Sequence, residues 1–132
     1  MIFVGCAEEI RIPSASSHYQ GERTAIFATF PTHHRWILPD VARSVALEAC
    51  IWGNGRRFDL NGVVVMPDHV HLVLTPLCDG DEVYSVAEIM QGIKSSSAHQ
   101  INHVLNRAGQ VWQRESFDHV LRREEGIEVK VE

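Results

Sequence analysis

The stretch Gly62-Val-Val-Val-Met-Pro-Asp-His69-Val-His71-Leu-Val-Leu-Thr-Pro76 decides the fold of this chain. Its two runs of β-branched and apolar residues are typical of strands. Pro67 and Asp68 between the runs favour a turn, because proline cannot donate to a ladder and aspartate is common in turns. We therefore predict two antiparallel strands joined at this turn, the second from His69 to Pro76. Residues two apart in a strand share a face, so His69 and His71 project together.

This pair of histidines has two interpretations. Two imidazoles on one rigid strand suit a divalent metal ion that takes a further ligand from elsewhere in the chain. Alternatively, they are polar residues on a solvated face, because short motifs of this kind often occur by chance. The pair alone does not decide between these interpretations.

The flanking segments alternate between strand and helix patterns. The first helix begins at Pro39, which suits a first helical turn, and carries an apolar stripe through Val41, Val45, Ala49 and Trp52. The second begins at Ser85, where Glu88 three residues later completes a capping box. The predicted elements in chain order are a strand at 24–30, a helix at 39–52, strands at 57–66 and 69–76, a polar loop at 77–82, a helix at 85–106 and a strand at 117–121. This order predicts an α+β fold.

The composition bounds the class of protein. The chain has 132 residues, 45% of them hydrophobic and 22% charged, which is ordinary for one globular domain. No apolar run approaches a membrane span, and three widely spaced cysteines fit a reducing cytosol. We therefore predict a cytoplasmic protein that has no membrane partner. Residues 1–23 are predicted to be an irregular arm, with a short edge strand at 10–12, and residues 24–132 to be the domain.

The net charge of −5 argues against indiscriminate binding to duplex DNA, but it allows a local basic surface. Five basic residues and two acidic ones lie between Gly92 and Arg123. The basic residues are Lys94, Arg107, Arg114, Arg122 and Arg123. This segment either binds a polyanion or is a solvated surface of mixed charge.

Three blocks of the sequence resemble HUH transposases, and most closely their REP-associated tyrosine branch. The blocks are Val64-Val-Met-Pro-Asp-His-Val-His-Leu-Val-Leu-Thr-Pro76, then Ile89-Met-Gln-Gly-Ile-Lys94-Ser-Ser with His99-Gln-Ile-Asn102, and finally Val111-Trp-Gln-Arg114-Glu-Ser-Phe-Asp-His119-Val-Leu-Arg122. They stand in the family's order and at its spacing. The resemblance extends over about residues 24–125.

The resemblance implies a ferredoxin-like β-α-β-β-α-β fold, with two helices on one face of an antiparallel sheet. It implies binding of single-stranded or hairpin DNA, metal-dependent DNA cleavage and strand transfer, and either a monomer or a homodimer. His69 and His71 are the expected ligands of Mg²⁺ or Mn²⁺, and strand proximity suggests His119 or Asp118 as the third ligand. The expected DNA-binding residues are Lys94, Trp112, Arg114 and Arg122. Trp112 has a second interpretation as a core residue, and Lys94 as a solvated helix lysine.

The chain departs from this family at the nucleophile. Relatives attack DNA with a tyrosine on a C-terminal helix, beyond the block that contains Trp112. Here the only tyrosines are Tyr19 and Tyr84, and the segment from Glu124 to Glu132 begins an amphipathic helix without its remainder. We therefore expect a transposase-like protein whose strand transfer is impaired. The alternatives are a hairpin-DNA-binding module without catalysis, and a ferredoxin-like domain that binds a small ligand or a metal.

Overall fold

The computed structural model describes residues 9–10 and 24–121. The strands are β1 (Glu9–Ile10), β2 (Ile26–Pro31), β3 (Phe58–Val65), β4 (His69–Pro76), β5 (Cys78–Asp79), β6 (Glu82–Val83) and β7 (Phe117–Val120). The helices are α1 (Asp40–Trp52) and α2 (Val86–Leu105), and a single 3-10 turn covers His33–Arg35. The rest of the N-terminal arm and residues 122–132, including the predicted incomplete helix, lie outside the described residues.

The main sheet has the strand order β1-β3-β4-β2-β7, and every pair in it is antiparallel. The strand β2 therefore lies inside the sheet, between β4 and β7. This is the β-α-β-β-α-β arrangement expected from the sequence, and it confirms the α+β class. The strand β1 adds a short edge beside β3, overlapping the edge strand predicted at 10–12.

The two faces of the sheet differ in what covers them. On β4, Val70, Leu72 and Leu74 are buried in the main core with both helices, whereas His69 and His71 on the other face are only partly buried. A smaller apolar cluster on that other face centres on Val64, Val73 and Leu121. The alternation read from the sequence thus decides which side chains of β4 meet the helices.

The helix α1 uses a different apolar stripe from the one predicted. Ala42, Ala46 and Cys50 are buried, and burial raises the pKa of the Cys50 thiol to about 12. Trp52, predicted to be core, is 67% exposed at the last position of the helix. The guanidinium of Arg56 lies 3.7 Å from the centre of its ring, so the ring is covered by a cation instead of by the core.

The helix α2 begins as predicted. The Ser85 side chain accepts a hydrogen bond from the Glu88 backbone N–H, and Asn106 ends the helix in the left-handed conformation. The segment at 77–82 was predicted to be loop, but it contains all but the last residue of the small β5–β6 hairpin. The hairpin residues are exposed, so no apolar alternation marked them in the sequence.

Candidate metal and nucleic-acid site

The histidine pair lies at the end of the sheet where β4 begins. The turn at Pro67 and Asp68, just before β4, is held in place by hydrogen bonds from the segment that follows β2. The Thr32 N–H and hydroxyl both donate to the Asp68 carbonyl, and the Leu38 N–H donates to the Pro67 carbonyl. His34 and Arg35 adopt positive φ values of 54° and 55°, a conformation that costs free energy in residues other than glycine. This turn brings the Arg35 guanidinium onto the Asp68 carboxylate, at 2.9 Å from Nε and 2.8 Å from Nη2.

The two imidazoles converge through their Nε2 atoms, which lie 3.0 Å apart. Each Nδ1 atom is held from behind by another side chain. His69 Nδ1 lies 2.8 Å from Asp68 Oδ1, and His71 Nδ1 lies 2.8 Å from Thr29 Oγ1. Phe27 stacks on the ring of His71, with centroids 5.5 Å apart. Hydrogen bonds at Nδ1 fix the orientation of an imidazole and aim its Nε2 at a ligand.

These contacts are compatible with two arrangements of protons. A carboxylate only accepts hydrogen bonds, so His69 Nδ1 carries a proton and its Nε2 has a free lone pair. His71 Nε2–H then donates to that lone pair, and the Thr29 hydroxyl donates to His71 Nδ1. Because a hydroxyl can also accept, Thr29 is equally able to hold the other tautomer of His71, in which both Nε2 lone pairs are free.

The surroundings of the site favour a neutral His71 imidazole near an ionised Asp68 carboxylate. Burial, and then the neighbouring His69, lower the pKa of His71. The hydrogen bond with His69 lowers the pKa of Asp68, Arg35 lowers it further, and partial desolvation opposes them. Metal ligation requires unprotonated imidazole nitrogen, so a lowered pKa at His71 favours it near neutral pH.

The spacing of the two Nε2 atoms fits a divalent cation. Adjacent ligands of an octahedral ion with bonds of about 2.1 Å are about 3.0 Å apart, and the two nitrogens have this separation. However, among the described residues no three His, Cys, Asp or Glu side chains form a group that could hold an ion. Residues 24–121 therefore offer two adjacent positions of a coordination sphere.

The pairing of β7 with β2 shows which face of the sheet each of the two candidates for a third ligand occupies. Asp118 pairs with Ala28, a fully buried residue, and so belongs to the face covered by the helices. His119 belongs to the face of the histidine pair, but it lies opposite Phe27, whose ring stands between it and His71. Neither joins His69 and His71 in this arrangement, which corrects the expectation drawn from strand proximity alone.

The expected DNA-binding residues fall in three different environments. Trp112 is 4% exposed, packs edge-on against Phe30, and donates from Nε1 to Ser97 Oγ at 2.9 Å. Its interpretation as a core residue is therefore the one that fits, and its ring is not available to a base. Arg114 is exposed, next to Gln113, whose N–H donates to the Pro31 carbonyl at the histidine end. Arg122 lies outside the described residues.

Lys94 is neither a solvated lysine nor a free point charge. It is 9% exposed, and its Nζ donates to the Arg114 carbonyl at 2.9 Å and to Ser116 Oγ at 3.0 Å. Burial lowers the pKa of its amine, while the charge of Glu115 opposes this effect. Its hydrogen bonds join α2 to the segment that leads into β7, so its visible role is to position Arg114 and the strand.

Thr29 and Arg35 were missed by the sequence analysis. Thr29 could have been recognised only from the pairing of β2 with β4, which places it directly opposite His71. Arg35 lies in a segment predicted to be loop, where its contact with Asp68 depends on two left-handed residues. Local pattern carries no signal for either contact.

The comparisons with known proteins identify the class. A family model for IS200-like transposases matches residues 34–120, about two thirds of the chain. The chain therefore belongs to the IS200-like transposase family, as its resemblance to transposases led us to expect. Transposases of this family generally use a divalent metal ion. No curated protein matches the sequence significantly.

Two solved structures resemble the fold. One is a REP-associated tyrosine transposase bound to a REP hairpin, 25% identical, with a TM-score of 0.56; the match covers 81% of this chain and 63% of that one. The other is a crystal structure of a candidate transposase from Deinococcus radiodurans R1, 15% identical, with a TM-score of 0.62, covering 86% of this chain and 88% of that one. This chain thus spans less than two thirds of the hairpin-bound transposase. In residues 24–121, neither helix is long and apolar enough to cross a membrane.

Proposed function

We propose that this chain binds single-stranded or hairpin DNA and holds one phosphate of the strand at His69 and His71 through a divalent metal ion. The observation that carries the proposal is the convergence of the two Nε2 atoms to 3.0 Å, with each Nδ1 anchored from behind. The hairpin bound by the structurally similar transposase supports the choice of DNA. Since DNA is the proposed partner, we place the activity in the cytoplasm.

The side chains have separate tasks in this proposal. The His69 and His71 Nε2 atoms occupy two positions of the ion, and Asp68 and Thr29 keep them aimed. A divalent ion bound there would supply positive charge to a non-bridging phosphate oxygen and polarise the phosphorus. Of Mg²⁺ and Mn²⁺, Mn²⁺ is favoured, because Mg²⁺ prefers oxygen ligands whereas imidazole suits transition metals better. Exposed Arg35 and Arg114 lie at the same end and attract the DNA backbone.

Tyr84 is in the wrong place to attack such a phosphate. Its N–H donates to the carbonyl of Leu77, which lies just beyond the far end of β4. Six residues of extended chain separate Leu77 from His71, roughly 20 Å at 3.3 Å per residue. In-line attack needs contact between the reacting atoms. We therefore propose that the 132 residues bind DNA with weak or no strand transfer.

The experiment measures the affinity for a fluorescent strand that carries a hairpin, with Mn²⁺ and with EDTA. We expect Mn²⁺ to raise the affinity of the wild-type chain at least about tenfold. His69→Gln and His71→Gln should abolish the gain, whereas His99→Gln, at an exposed position on α2, should retain it. Binding that is unaffected by EDTA and by both substitutions would overturn the metal site and favour a hairpin-binding module without catalysis.

The absence of strand transfer is tested separately. The chain is incubated with the same DNA and Mn²⁺, denatured, and separated by electrophoresis. We expect no covalent protein–DNA adduct. An adduct that disappears in Tyr84→Phe or Tyr19→Phe would contradict the proposal and identify the nucleophile.

A further inference from the structure

An exposed aromatic side chain lies beside the histidine pair on the last strand. Phe117 in β7 is 61% exposed, and its neighbour two residues along, His119, is also exposed. Phe117 pairs directly with Thr29, and Thr29 pairs on its other side with His71. Residues paired in this way project from the same face of a sheet. Phe117 and His119, which we name the β7 platform, therefore face the same side as His69 and His71.

The platform is close enough to receive a base next to a phosphate at the histidine pair. Neighbouring strands are about 4.8 Å apart, so His71 and Phe117 are separated by roughly 10 Å across β2. This distance is on the scale of one nucleotide, measured from its phosphate across its sugar to its base.

The aromatic rings on this face form a row, with Phe27 between the rings of His71 and His119. Phe27 is partly buried and contacts the ring of His71 on one side and that of His119 on the other, at centroid distances of 5.5 and 5.4 Å. Phe27 thus fixes His119 relative to the histidine pair. Asp118, the carboxylate between the two platform residues, belongs to the opposite face by its pairing with Ala28. No negative charge of β7 itself therefore faces the strand of DNA.

We propose that the β7 platform stacks on the bases of a single strand whose phosphate lies at His69 and His71. The inference rests on the proposed function, since it needs DNA at the histidine pair. Aromatic rings in an exposed row bind unpaired bases by stacking, with little dependence on sequence, because every base has a π-face. Paired bases in a duplex hide their faces, so the platform selects unpaired nucleotides next to a hairpin.

The experiment uses Phe117→Ala and Phe117→Leu, with Val120→Ala as the matched control. Val120 lies on the same strand and is 55% exposed, but it pairs with Ile26 on the opposite face. We expect both Phe117 variants to lose about 5- to 150-fold in affinity for single-stranded DNA. Val120→Ala should bind like the wild type. Thermal unfolding of each variant shows that the comparison is between folded proteins.

A second measurement keeps the inference testable if Phe117→Ala fails to fold. The fluorescent base 2-aminopurine is placed at each unpaired position next to the hairpin in turn. Stacking should quench its emission at one or two positions in the wild type, and Phe117→Leu should remove that quenching. An unchanged quenching pattern, or full affinity in Phe117→Leu, would overturn the platform.

The two proposals fail in different ways. If the wild-type chain binds no single-stranded or hairpin DNA at low salt, the proposed function fails and the platform fails with it. If the wild type binds with its dependence on Mn²⁺ and His71, and the Phe117 variants behave like Val120→Ala, only the platform is overturned.

Discussion

Asp68 and Thr29 turn two surface histidines into a candidate binding site. Each hydrogen-bonds the Nδ1 atom of one imidazole, so the Nε2 atoms converge instead of rotating freely. Asp68 is itself held by two nitrogens of Arg35. Such supporting contacts decide how tightly a metal ion is held, because they fix the tautomer and the orientation of its ligands.

Removing the support at Asp68 should weaken metal binding without removing a ligand. We predict that Asp68→Ala lowers the affinity for Mn²⁺ by about 10- to 100-fold, the usual cost of losing such a partner. Isothermal titration calorimetry on the free protein measures this affinity. Asp81→Ala, an exposed carboxylate between β5 and β6, is the control and should bind Mn²⁺ like the wild type. Equal affinity in Asp68→Ala would show that the carboxylate does not orient His69.

At the scale of single residues, the sequence predicts which face of a strand a side chain occupies, because the faces alternate along the strand. His69 and His71 project together and Val70 is buried between them, as the period of two requires. The core position of Trp112 was an open alternative, because its partner Ser97 is 15 residues away in sequence. The hydrogen bonds of Lys94 were not foreseen either, since nothing local indicates that residue 114 returns to the side of α2.

Lys94 connects two elements that the sheet alone does not join. Its amine donates to the Arg114 carbonyl and to the Ser116 hydroxyl, and thereby holds the segment before β7 against α2. The strand β7 pairs with β2 over only four residues, all of them exposed. The last strand of the main sheet therefore depends on this contact from the helix.

Losing the Lys94 amine should destabilise the fold. We predict that Lys94→Met, which keeps most of the buried stem, lowers the free energy of unfolding by about 1–3 kcal/mol, because it leaves a carbonyl without its donor. Chemical denaturation gives this value. Gln100→Met, at an exposed position of the same helix, should change it by no more than about 0.5 kcal/mol. Similar values for the two variants would assign Lys94 to the solvated surface.

At the scale of elements, the sequence predicts best where caps and prolines mark an end. The strand at His69–Pro76 has the bounds that were expected, and both helices begin one residue later than expected, because Pro39 and Ser85 are their N-caps. The predicted stripe of α1 was wrong at Val41 and at Trp52, which are both exposed. Counting by helical period identified Val45 and Ala49, which are buried, but the helix axis turns Ala46 and Cys50 inwards as well and leaves the last turn at the surface.

Over the whole molecule the net charge is negative, and the described residues place few basic side chains near His69 and His71. The net charge is −5, and the three described basic residues between positions 92 and 121 do not form one surface. Lys94 is buried, Arg107 stacks on Trp36 with its guanidinium 4.2 Å from the ring centre, and Arg114 is exposed. We therefore expect the described residues to supply only a small number of phosphate contacts to DNA at the proposed site.

This charge distribution predicts a shallow salt dependence. Each neutralised phosphate of a single strand contributes about −0.7 to the slope of log K against log salt. With two or three contacts, the affinity for the hairpin strand should fall about tenfold between 50 and 200 mM salt. Fluorescence anisotropy at fixed Mn²⁺ measures the slope. A fall of a thousandfold or more would reveal a basic surface that the described residues do not account for.

The overall topology could be predicted because strand and helix patterns alternate clearly and the resemblance to transposases fixed their order. The relation of Asp118 and His119 to the histidine pair could not be predicted, since strand proximity says nothing about which face a residue occupies. Only the pairing of β7 with β2 shows that His119 lies on the face of the histidine pair and Asp118 on the opposite face. The Lys94 amine holds the segment before β7 through hydrogen bonds. The register of β7 then decides which of its residues lie on the face of His69 and His71.

The alternation along β4 also limits how this site can change in evolution. Inserting or deleting one residue between the two imidazoles would send one of them into the hydrocarbon interior, because a shift by one position exchanges the faces of a strand. Homologous proteins that keep both histidines on this face can change the spacing between them only by an even number of residues. The exposed β5–β6 hairpin, beyond the other end of β4, carries no such parity constraint and is free to vary in length.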